Sequence, residues 1–194
     1  APFYFEVSQS ALQDWFTELA DRSPLPVMLY NMPSCVGVNL DLAIVDNLSR
    51  HANIVGIKDS SGNWDYFQQL CDQHRDRDDF VIFMGPEELL AEAVEAGADG
   101  GVCGGANLLP LVYTRLYHAA VRADAVEIAQ CKAAIADMFA SVYREDNGQM
   151  KLIPGLKTAM EECGLCSRKV ALPLNSVSES HAHRIRTSLP RLLA

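Results

Sequence analysis

Residues Asn53–Asn63 read NIVGIKDSSGN, a short apolar run from Ile54 to Lys58 that stops at a polar, glycine-containing turn. The run lacks the polar–apolar alternation of a half-exposed strand, so it predicts a strand covered on both faces, as in a parallel sheet. Three more runs of this kind flank it: Val27 to Tyr30 (VMLY), Phe80 to Met84 (FVIFM) and Gly100 to Cys103 (GGVC). The opening APFYF is expected to be the tail of a further strand.

Helical patterns separate these runs. Leu12, Trp15, Phe16 and Leu19 form one apolar stripe behind serines suited to capping. Leu42, Val45 and Leu48 follow Asp41, and Trp64, Phe67, Leu70 and Cys71 follow Asn63. Pro86 suits a first helical position, Glu87 and Glu88 a first turn, and Gly97 a helix stop. Tyr4, Tyr30, Lys58 and Gly85 close successive units about 27 residues apart, and a constant strand–helix period argues for βαβ units and a parallel sheet. Beyond Asn107 the pattern is helical only, over about 110–121, 124–143, 154–162 and 178–189.

An open doubly wound sheet that binds a nucleotide calls for a G-x-G-x-x-G turn after its first strand, and the chain has none there. A closed barrel gathers chemistry at the C-terminal ends of its strands, where this sequence carries Tyr4, Tyr30 and Lys58. The expected fold is therefore α/β, a (β/α)8 barrel present from about strand 4 onward, with residues 1–121 its C-terminal portion and residues 122–194 a helical extension. Such a barrel typically takes about 250 residues, so the 194 residues here are expected to lack the first strands. On that view the chain alone is expected to be poorly soluble or inactive.

Composition narrows the function classes. With 49% apolar and 21% charged residues the chain has the profile of a globular protein with a substantial core. A net charge of -9 argues against nucleic acid or an anionic membrane surface as partner. No stretch reaches the length of a membrane span. There is no basic-then-apolar start, and six cysteines in a chain of this size do not make a disulfide framework. A reduced, cytoplasmic setting is the expectation. Cys163 and Cys166 form a lone C-x-x-C, read as packing cysteines, and the five histidines show no ligand spacing, so no metal site is expected.

Lys58 is the unusual residue. An ammonium on a covered strand loses its hydration, and the neutral amine is the form that attacks a ketone. The plainer reading is a lysine just past the strand end, pointing to solvent or paired with Asp59. Tyr30 ends the preceding strand, where a phenol could shuttle protons in the same pocket or simply line the rim as an amphipathic side chain.

LYNMPSCVG followed by NIVGIKDSSGN resembles the paired signature of the dihydrodipicolinate synthase and N-acetylneuraminate lyase family. GPEELLAEAVEAGADGGVCGGAN and IPGLKTAMEECG continue the likeness in order, over nearly the whole chain. The resemblance implies an aldolase in which Lys58 forms an imine with pyruvate or another 2-keto acid and Tyr30 relays protons. It implies that Gly85 and the main chain at Val102 border the adduct, and that Tyr4 lies at a subunit interface. It implies no cofactor, because the lysine supplies the covalent chemistry, and a homo-oligomer, dimer or tetramer, as the assembly. The partners are a 2-keto acid and an aldehyde.

The sequence departs from the synthase pattern at one informative place. N-x-P-x-R becomes Asn31-Met32-Pro33-Ser34-Cys35, and a thiol at Cys35 cannot supply the charged bidentate fork that holds an aldehyde's carboxylate. Glu87 and Glu88 stand where the lyase branch binds sugar hydroxyls, although glutamates also suit any first helical turn. Together these favour a hydroxylated 2-keto acid as substrate. The alternatives are dihydrodipicolinate synthase itself, or a non-catalytic relative that binds a keto acid.

Overall fold

The computed structural model describes residues 1–193, in which the first 102 residues alternate strand and helix. The elements are α1 (Gln9–Arg22), β1 (Val27–Asn31), α2 (Pro33–Val36), α3 (Leu42–Ser49), β2 (Ile54–Asp59), α4 (Trp64–His74), β3 (Val81–Met84), a 3-10 turn (Glu87–Leu89), α5 (Leu90–Glu95) and β4 (Gly100–Gly101). All pairings are parallel, in the order β1-β2-β3-β4. A doubly wound sheet reverses its strand order at a switch point; here the order runs one way.

The two faces of the sheet differ. Leu29, Ile57, Ile82 and Met84 are buried and join one core with Leu12 and Phe16 of α1, Val45 and Leu48 of α3, and Phe67 and Leu70 of α4. Each such side chain contributes roughly 1.5–3 kcal/mol by leaving water. The opposite face carries Met28, Tyr30, Lys58, Val81 and Phe83, none of them buried. Within Ala1–Val102, helices packed on the buried face and an unreversed strand order are the features of an arc of a (β/α)8 barrel.

Local chemistry explains the helix starts. The Ser8 Oγ accepts from the Ala11 amide at the head of α1, and the Asn63 Oδ1 accepts from the Tyr66 amide at the head of α4. Trp15 and Leu19, expected in the buried stripe of α1, are exposed, while Ala20 takes the buried position.

The opening APFYF is not a strand, contrary to expectation. Its aromatic character suits a strand, but a strand needs a ladder partner for its backbone. β1 pairs only with β2 among the described residues. Tyr4 has a φ of 93°, outside the extended region, and Phe3, Tyr4 and Phe5 are exposed. The third run starts at Val81 rather than Phe80, and the fourth is confined to Gly100–Gly101.

Residues Cys103–Ala194 form the second of two compact units, the first being Ala1–Val102. The second holds a 3-10 turn (Gly104–Asn107), α6 (Pro110–Val121), α7 (Ala125–Met138), a π turn (Phe139–Tyr143), α8 (Leu152–Glu162) and α9 (Glu179–Leu192). Its core contains Leu116, Ile135, Met138, Tyr143, Ala159 and Ile185, all buried. Among the described residues no helix is long and apolar enough to cross a membrane.

Candidate active site

Strand register sets the geometry. Tyr30 on β1, Lys58 on β2 and Phe83 on β3 are direct neighbours in the ladder, so their side chains leave the sheet on the same face. The Lys58 Nζ lies 4.7 Å from the centre of the Tyr30 ring, within reach of a cation–π contact when the amine is protonated. Tyr30 is 45% exposed, so the pair is open to a small molecule. The ammonium of Lys58 makes no ion pair among the described residues. Pairing with Asp59, the plainer reading of the sequence, is not what the structure has: alternation sends Asp59 to the opposite, buried face.

That buried face carries a polar knot directly behind the pair. Asn31 follows Tyr30, Asp59 follows Lys58, and the two are again ladder neighbours. The Asn31 Nδ2 donates to Asp59 Oδ1 at 2.7 Å and to Asn39 Oδ1 at 2.9 Å, while Asn31 Oδ1 accepts from the Leu40 amide at 3.1 Å. The Ser61 Oγ donates to Asp59 Oδ2 at 2.9 Å. Burial pushes the Asp59 carboxyl above its ordinary value, and the hydrogen bonds from Asn31 and Ser61 pull against that rise. Neither Asn31 nor Asp59 was singled out as a site residue by sequence reasoning. The available signal was that each is the first polar residue after a candidate active residue, at matching positions of two strands.

Gly85 follows β3, and its amide donates to the Asp59 carbonyl at 2.7 Å. A Cβ at Gly85 would overlap the Ser60 Oγ and lie 2.8 Å from both the Ser60 Cβ and the Asp59 carbonyl oxygen. Close packing beside β2 therefore requires glycine here. Val102 extends the ladder past β4, its amide donating to the Met84 carbonyl at 2.9 Å, and its side chain is 48% exposed.

The other expected residues lie around this centre in less definite roles. Cys35 is exposed on the single turn of α2. Glu87 is buried and Glu88 exposed at the turn after Gly85. Tyr4 lines a cleft of about 520 Å³ with Phe5, Glu6, Val7, Val36, Gly37 and Val38, which includes neither Lys58 nor Tyr30. Among the described residues no group of three or more His, Cys, Asp or Glu side chains is placed to hold a metal ion.

A sequence model of the dihydrodipicolinate synthetase family matches residues 1–191. The chain belongs to this family. Within it, the chain is 34% identical over 188 residues to the 4-hydroxy-tetrahydrodipicolinate synthase of Alkalilimnicola ehrlichii, covering 97% of this chain and 62% of that protein. The structure of dihydrodipicolinate synthase from Bacteroides thetaiotaomicron superposes with a TM-score of 0.90 at 37% identity, covering 98% of this chain and 64% of that one. A prophage protein of the dihydrodipicolinic acid synthase family from E. coli K12, solved in complex with pyruvate, superposes at 0.85 with 26% identity, covering 99% and 64%. The chain thus spans just under two thirds of the length of these relatives.

Proposed function

We propose that this chain carries the covalent centre of a pyruvate-dependent Schiff-base aldolase. The observation that carries the reading is the Lys58 Nζ held 4.7 Å above the Tyr30 ring on the open face of the sheet. Lys58, as the neutral amine, adds to the keto carbon of pyruvate or a related 2-keto acid. The resulting carbinolamine loses water to give the imine. The imine draws electrons from the neighbouring carbon, so that a proton leaves or the carbon–carbon bond beyond it forms or breaks. Tyr30 carries the protons that these steps release and consume. Gly85 and Val102 border the adduct, and the E. coli relative solved with pyruvate supports that choice of keto acid.

The preferred substrate is a hydroxylated 2-keto acid that splits into pyruvate and an aldehyde. Cys35, exposed on α2, offers no cation to a second carboxylate, and Glu87 and Glu88 offer hydroxyl-binding oxygens after β3. The second reading, 4-hydroxy-tetrahydrodipicolinate synthase, is favoured by the names of the relatives. In either case the chemistry needs no cofactor, the setting is cytoplasmic, and the whole protein is a homo-oligomer with Tyr4 at a subunit contact. Residues 1–121 form the barrel portion, α6 being the helix that follows β4, and residues 122–194 form the helical region.

The two readings separate by product. Incubation of the whole protein with a panel of hydroxylated 2-keto acids should release pyruvate. Formation of the cyclic dihydropyridine precursor from pyruvate and aspartate semialdehyde, with no release from the panel, would overturn the lyase reading in favour of the synthase.

A further inference from the structure

We infer that Asn31 and Asp59 are positioning residues, a buried carboxamide–carboxylate lock behind the sheet that holds Lys58 over Tyr30. The inference rests on the Schiff-base reading for its consequence, but the lock is a matter of geometry. Tyr30 and Lys58 stand on different strands, and their separation depends on how β1 and β2 sit side by side at their C-terminal ends. The next ladder pair is Asn31 and Asp59, and their side chains are joined directly across the strands at 2.7 Å.

Each partner is anchored in turn. Asn31 is 1% exposed, and its side-chain polar atoms and carbonyl are engaged: Nδ2 with Asp59 and Asn39, Oδ1 with the Leu40 amide, and the carbonyl with the Ser60 amide at 2.8 Å. Asp59, also 1% exposed, receives Ser61 on its carboxylate and the Gly85 amide on its carbonyl. The lock therefore ties the ends of β1, β2 and β3 to the loop at residues 39–40. Gln9 holds that loop from α1, donating to the Asn39 carbonyl at 2.8 Å and accepting from the Asp41 amide at 3.0 Å. Buried polar groups with every bond made fix one arrangement, since any slip leaves an orphaned donor or acceptor in a dry site.

The donor pattern makes a selective test. Both carboxylate oxygens of Asp59 only accept. In Asp59→Asn the carbonyl oxygen can keep the Asn31 bond, and the new amide can turn to Ser61, whose hydroxyl is able to accept instead. Asp59→Asn therefore keeps the lock without its charge, whereas Asp59→Ala and Asn31→Ala remove it. Arg77→Ala is the stability control: Arg77 braces Ser49 at 2.9 Å, far from these strand ends in the sequence.

Two readouts decide. The first is the ring-current shift that the Tyr30 ring imposes on the side-chain protons of Lys58, read by NMR without substrate. It should collapse in Asp59→Ala and Asn31→Ala and persist in Asp59→Asn and Arg77→Ala. The second is borohydride trapping of the pyruvate imine against time. The two alanine variants should trap about 10- to 100-fold more slowly at saturating pyruvate, the scale expected of a misplacement near 1 Å, with half-saturation unchanged. Should Asp59→Ala fail to fold, Asn31→Ala and Asp59→Asn carry the same comparison. A shift retained in the alanine variants, or lost equally in Asp59→Asn, overturns the lock. A shift that behaves as expected without any adduct in the whole parent protein overturns the Schiff-base reading alone.

Discussion

Replacing Gly85 by alanine puts the packing beside β2 under direct strain. The added Cβ would overlap the Ser60 Oγ and press on the Ser60 Cβ and the Asp59 carbonyl oxygen, each at 2.8 Å. Turning the serine hydroxyl away relieves only the first of these contacts. Overpacking of this kind costs about 1–3 kcal/mol, and weakening the Gly85–Asp59 hydrogen bond adds about 1 kcal/mol. The stiffer unfolded chain returns about 0.5 kcal/mol, which leaves a net loss of about 1.5–3.5 kcal/mol. Unfolding in urea, followed by circular dichroism, should measure that loss for Gly85→Ala, and Ser60→Gly should restore part of it. In the four-protein cycle the coupling between the two sites should be about 1–2 kcal/mol. Gly85→Ala within about 0.5 kcal/mol of the parent, or no coupling to Ser60→Gly, would refute the packing explanation. Gly85 would then be small only to admit a substrate.

Tyr30→Phe should leave imine trapping on Lys58 in place while slowing deuterium exchange at the pyruvate methyl by about 100-fold or more, as loss of a general acid–base does; exchange at the parent rate would remove Tyr30 from the relay. Burial, with added repulsion from Arg77 and Arg50 and partly opposed by Asp46, holds the His74 imidazole below its ordinary 6.5. The unfolded chain thus takes up a proton that the folded one refuses, and stability should fall as pH drops through about 6.5. His74→Leu should flatten that part of a stability–pH profile, and an unchanged slope would assign it to other groups. Burial also pushes the Cys71 thiol up to about 12, so iodoacetamide on the native protein should label exposed Cys35 and Cys166 and spare Cys71, Cys103 and Cys131 until the chain unfolds. Labelling of Cys71 in the folded state, read by peptide mass spectrometry, would contradict its burial.

Much of this arrangement was legible in the sequence because strand ends and apolar stripes are local signals. The repeat at Tyr30, Lys58 and Gly85 placed the first two residues on adjacent parallel strands, and the ladder confirms it. The stripe of α4 behind Asn63 was equally plain. Three features were not legible, each because it depends on contacts made elsewhere. APFYF has strand-like composition, but pairing decides strands, and Tyr4 is exposed with a left-handed backbone. Asp59 looked like a partner for its neighbour Lys58, whereas strand alternation turns adjacent residues to opposite faces. The need for glycine at 85 comes from Ser60, twenty-five positions earlier, which no local pattern reports.

Reductive trapping distinguishes Lys58 as the nucleophile from every other lysine of the protein. The whole protein is incubated with pyruvate, reduced with borohydride, digested, and its peptides mapped by mass spectrometry. A single carboxyethyl adduct is expected on the side-chain nitrogen of Lys58, absent when pyruvate or borohydride is omitted and absent in Lys58→Ala. An adduct spread over other lysines, or a Lys58 left unmodified while pyruvate is turned over, would contradict it.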